Sequence, residues 1–166
     1  MSSRPLHDLF ATAPIDRPSR RGVIGGGFGL AFAALLPACS EVVPEPRRIK
    51  WGRDVCEHCH MVFGDKRFAA QIWDASSNRA RIYDDFGCAV LAAVDLEILD
   101  RPEVPFWVTD DADPSRWLDA RKARFRDGVV TPMGYGHSAG PATDHPLAFA
   151  EAAKAIRDKA ECEHKS

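Results

Sequence analysis

With 22 basic and 24 acidic side chains in 166 residues, the chain carries a formal net charge of −2, which argues against nucleic acid as a partner. An apolar content of 45% suits one modest core or two very small ones. Five cysteines in so short a chain direct attention to thiol or metal chemistry.

Chain order begins with an export pattern. Ser19-Arg20-Arg21 is a twin-arginine pair that leads into an uncharged, glycine-rich apolar stretch from Gly22 to Ala38. That stretch is just short of the roughly 18 apolar residues of a spanning helix, and its glycines make it a poor one. Leu36-Pro37-Ala38-Cys39 has the order of a bacterial lipobox, so residues 1–38 read as a cleaved leader and Cys39 as the acylated residue. An ordinary secretory leader with an incidental cysteine is the plainer alternative. Removing residues 1–38, with four basic and two acidic side chains, leaves 18 basic against 22 acidic, a net −4. Residues 39–50, with Pro44 and Pro46, read as an extended tether before a domain over 51–162.

Next comes the densest chemistry. Cys56-Glu57-His58-Cys59-His60-Met61 sets two cysteines, two histidines and a methionine within six residues. Thiolate together with thioether favours Cu(I), whereas a structural zinc site recruits Cys and His and leaves Met out. Two other readings use the same residues. Cys56 and Cys59 have the spacing of a thiol–disulfide oxidoreductase, although the chain turns at Gly64-Asp65 before a helix could develop. Cys56, His58, Cys59 and His60 could alternatively form a structural zinc site.

Residues 67–73 and 80–83 flank a turn-like Asp74–Asn78 and predict a hairpin. Asp84 or Asp85 can cap a following helix, with Phe86, Val90, Leu91, Val94 and Ile98 at helical spacing. Cys88 falls within it and reads as a packing residue rather than a ligand. Val104–Thr109 reads as a strand with Pro105 near its start, and Asp110–Pro114 as a solvated turn. Residues 117–126 fit a short helix or a strand, with irregular turn then strand preferred. Thr131-Pro132-Met133-Gly134-Tyr135-Gly136-His137 is a second chemical loop, in which two glycines permit tight turns and Met133 is a candidate ligand. A last helix is expected to start at Asp144-His145-Pro146 and run to about 160.

Taken in order, Cys56–Val62, Asp65–Ile72, Tyr83–Cys88, Trp107–Asp110 with Trp117–Ala120, and Thr131–Gly136 resemble the NosL family, the copper-binding accessory lipoproteins of nitrous oxide reductase. The resemblance spans residues 51–160. It implies an α+β fold of two small ββαβ-type units with short strands and two main helices. It also implies a monomeric, lipid-anchored periplasmic Cu(I) chaperone that passes copper toward the reductase through an ABC-type membrane maturation complex; separately, no residue set resembles a nucleophile with its base, so no catalysis is expected. The family's Cys-x-Met motif maps onto Cys59 and Met61 as primary ligands, leaving Cys56, His58, His60 and Met133 as secondary ones. Many members have glycine where this chain has His60. Another cuproenzyme is the alternative recipient.

Overall fold

The structure is a computed structural model that describes residues 42–165; the arginine pair, the apolar stretch and Cys39 lie outside the described residues. Among the described residues no helix is long and apolar enough to cross a membrane.

Strands β1 (Ala70–Asp74) and β2 (Arg79–Tyr83) form the expected hairpin, paired from Ala70↔Tyr83 to Asp74↔Arg79. Its turn is closed by the Asp74 carboxylate, which accepts from the Ser76 amide at 2.9 Å and the Ser76 hydroxyl at 2.6 Å, while Asn78 takes a left-handed φ of 48°. Helix α1 (Phe86–Asp95) follows, then β3 (Phe106–Thr109), which pairs with β1, and β4 (Trp117–Asp119), which pairs with β3. The antiparallel order is β2-β1-β3-β4. A second, two-stranded sheet joins β5 (Arg124–Arg126) to β6 (Ser138–Gly140), and α2 (Phe149–His164) closes the chain. The class is α+β with two main helices. Its first half, β1-β2-α1-β3, is a ββαβ unit; β4 extends that sheet, and β5-β6-α2 makes the second part.

Helix α1 is apolar almost all round because it is covered on several sides, packing on β1, β2 and α2 with Cys88, Ala89, Val90 and Ala93 fully buried. It stops three residues earlier than the apolar spacing predicts. The Glu97 and Ile98 amides turn back onto Val94 and Ala93 carbonyls, a Schellman ending with Glu97 at φ 56° where glycine is usual. The two halves are joined by aromatic rings: Phe86 stacks on Phe125 at 4.4 Å, and Phe149 meets Phe106 edge-on at 5.5 Å. Among the described residues, every buried core residue, from Ile49 to Ile156, belongs to the compact unit Ser40–Ser166.

Two further boundaries differ from expectation. The last helix begins at Phe149, since Leu147 exchanges backbone hydrogen bonds with Phe125 (2.9 and 2.8 Å) and His145 is buried at 1% exposure. Glu151 then reaches back to the Ala148 amide at 2.7 Å and caps the helix. Within the stretch read as a tether, packing already starts at Arg47. Its backbone exchanges two 2.8 Å hydrogen bonds with the Gln71 amide group, and Ile49 is buried.

Candidate metal centre

The cysteine motif sits on the loop of a small hairpin. Val55 bridges Val62, and the Cys56 amide donates to the Met61 carbonyl at 2.9 Å, so residues 57–60 are forced into a tight turn. His60 closes that turn with its amide on the Cys56 carbonyl and a left-handed φ of 62°. This conformation explains why glycine suits the position. We expect His60→Gly to raise stability by about 0.5–1 kcal/mol in denaturant unfolding, the left-handed penalty exceeding the added unfolded-state entropy. Glu57 fastens the loop to β2. Its amide donates to the Ile82 carbonyl at 2.9 Å, and its carboxylate accepts from Arg79 at 2.8 Å.

The end of β2 is thereby placed under the loop, and the chain runs directly into the N-terminus of α1. Asp85 is the N-cap, accepting from the Gly87 amide at 2.8 Å, and Cys88 stands three residues into the helix. The sulfurs of Cys56, Cys59 and Cys88 and a carboxylate oxygen of Asp84 all lie within 4.8 Å of one another. Cys59 Sγ donates to Asp84 Oδ1 at 3.3 Å. All three cysteines are free, and Cys56, Asp84 and Cys88 are buried. Three sulfurs and one carboxylate at this separation fit a soft monovalent cation, which tolerates two or three thiolates and needs no octahedral shell.

Hydrogen bonding and burial make Cys56 the most readily ionised of the three thiols. The hydrogen bond from Cys88 brings the Cys56 thiol down to about 7 against its burial, and the Cys59 and Asp84 amides donate to the same sulfur. Burial pushes Cys59 up to about 12, opposed by the Met61 amide that donates to it. Cys88 is pushed up by its hydrogen bond to the Cys56 sulfur and by burial. Ligation by Cys56 and Cys59 must therefore displace a proton from Cys59 at any physiological pH, and a second from Cys56 in acid. Affinity for a soft cation held by these two thiolates should fall as pH falls, about tenfold per unit above roughly pH 8 and about a hundredfold per unit below roughly pH 6. A chelator competition at both pH values checks the slope; a flat profile contradicts thiolate ligation.

Asp85 also brings in the second chemical loop. Its other carboxylate oxygen accepts from the Thr131 hydroxyl at 2.6 Å and the Met133 amide at 2.9 Å, and Thr131 Oγ1 in turn accepts from the Gly136 amide. Gly134 and Gly136 have φ of 72° and 81°, which lets the loop fold over the helix start. Tyr135 packs closely against Gly87. A Cβ there would fall 2.2 Å from the ring, so that glycine is required by close approach.

Among the expected ligands, Cys56 and Cys59 are brought together with each other. Met61 is 54% exposed on the same loop, His60 is exposed, and His58 and Met133 are half-buried, Met133 packed against the core. Two members of the cluster, Asp84 and Cys88, do not come from the cysteine motif. Cys88 is buried, as a packing residue would be, yet its sulfur also belongs to the donor group. Asp84 reads in the sequence as one of two capping candidates; with Asp85 serving as the cap, its neighbour is left to face the sulfurs.

No family model and no curated relative matches the chain. Among solved structures, the chain is similar to the copper chaperone NosL from Shewanella denitrificans, with a TM-score of 0.50 at 16% identity, covering 70% of this chain and 89% of that one. The fold is NosL-like. That likeness is one of backbone architecture, and the NosL-like fold here places the donor group at the junction of cysteine hairpin, β2 and α1.

Proposed function

We propose that this protein is a Cu(I) chaperone, exported and lipid-anchored through Cys39, that delivers copper for assembly of the nitrous oxide reductase centre. The observation that carries the reading is the convergence of Cys56, Cys59, Cys88 and Asp84 in one group, in a NosL-like fold. The copper ion is cargo. Cys59 and Cys56 hold it as thiolates, and Cys88 stabilises the Cys56 thiolate or joins as a third sulfur.

Met61 gives the site its exit. It is exposed, it lies on the Cys59 loop, and its thioether binds without releasing a proton. A recipient's ligands can attack from that side before the buried thiolates let go, so transfer proceeds by ligand exchange and the released cysteines take back their protons. Acting as a monomer, the protein meets the ABC-type maturation complex of the reductase at the membrane.

Transfer from the Cu(I)-loaded protein to the copper-free reductase with its maturation complex tests this reading. Met61→Leu should slow transfer and weaken Cu(I) binding while leaving thermal stability unchanged, since the side chain is exposed. Equal rates of transfer from the loaded protein and from a Cu(I) chelate would contradict a delivery role.

A further inference from the structure

Sequence averages hide a charged face on this mildly acidic domain. A groove next to the N-terminal entry of the fold is lined by five cations, Arg47, Arg48, Lys50, Arg53 and Lys66, together with Trp51 and Trp117, and by no carboxylate. Arg47 is partly neutralised by Asp54 and Glu57 at 3.7 and 4.0 Å. The other four are exposed, and among the described residues none of them forms an ion pair. Lys66 instead stands over the Trp51 ring at 5.6 Å. Both tryptophans are half-buried, each presenting part of an amphipathic ring beside the cations.

We propose that this face binds the headgroups of an anionic phospholipid surface. Cations flanked by tryptophan are the composition that anionic headgroups and the interfacial layer attract. The position agrees. Arg47 is only eight positions beyond Cys39, at most about 29 Å of fully extended chain, so an acyl anchor at Cys39 holds this face within reach of the bilayer. The proposal takes only this proximity from the anchor reading, and a chain without the acyl group tests it separately.

The unit Ser40–Ser166, which contains every buried core residue among the described residues, is sedimented with vesicles of pure phosphatidylcholine and with vesicles containing phosphatidylglycerol. Binding is expected to the anionic vesicles alone and to weaken with added salt. The triple variant Arg48→Glu/Lys50→Glu/Arg53→Glu should bind them at least about tenfold more weakly, with its far-ultraviolet circular dichroism and Cu(I) titration unchanged. Equal binding to both vesicle types, or full binding by the triple variant, overturns the proposal. Absence of binding to the anionic vesicles also overturns it and leaves the face to an acidic protein surface.

Discussion

Cys56→Ser and Cys59→Ser should each lower Cu(I) affinity by more than about a hundredfold, since even the loss of an outer partner of a ligand costs about 10–100-fold. The two differ in how they fail. Cys59→Ser removes the sulfur that faces both Asp84 and the exposed loop, whereas Cys56→Ser removes the one that is ionised most readily. The pH profile separates them: with Cys59 gone, the slope above neutrality should flatten, because the remaining Cys56 already carries its charge there. Cys88→Ser is the informative third variant. Its hydroxyl can still donate to the Cys56 sulfur, so affinity survives if two thiolates hold the ion and falls with the others if three do. Competition titrations of the reduced proteins measure all three, and circular dichroism confirms that serine has not unfolded them.

Asp85→Ala should be the most damaging single change outside the donors. It removes the cap of α1, worth about 0.5–2 kcal/mol, and leaves the Thr131 hydroxyl and Met133 amide without an acceptor, each costing about 1–3 kcal/mol if it stays buried. A combined loss on the order of 3–5 kcal/mol lowers Tm by about 10 °C or more for a domain of this size. Asp85→Asn is the sharper probe. Its amide oxygen can still accept from Gly87, but its NH2 cannot accept from Thr131 or Met133, so the loop should loosen with the helix intact. Accelerated amide hydrogen exchange confined to residues 131–136 is the expected result; uniform acceleration through α1 would mean that the cap had been lost as well.

The parts of this molecule that are legible in its sequence are those governed by neighbours in the chain. The β1–β2 hairpin announces itself through alternation and an Asp-Ala-Ser-Ser-Asn turn, and the start of α1 through Asp84-Asp85 before an apolar run. The end of α1 does not, because Glu97 occupies the left-handed position where a glycine would have marked the stop. Nor does the start of α2, where pairing between Leu147 and Phe125 overrides a helix-like local pattern. The donor group shows both sides. Cys56 and Cys59 stand out by spacing, but Cys88 looks like an ordinary buried residue of an apolar helix until Glu57 fastens the cysteine loop onto Ile82 and carries it over the helix start. The basic face is assembled from residues 47–53 and Lys66, and a net charge of −4 over residues 39–166 conceals it.

X-ray absorption at the copper edge of the stoichiometrically Cu(I)-loaded protein, compared with its Cys88→Ser variant, addresses the centre most directly. The account predicts a first shell dominated by sulfur, with at least two sulfur scatterers retained in the variant. A shell of nitrogen and oxygen alone, or one indifferent to Cys56→Ser and Cys59→Ser, would contradict it.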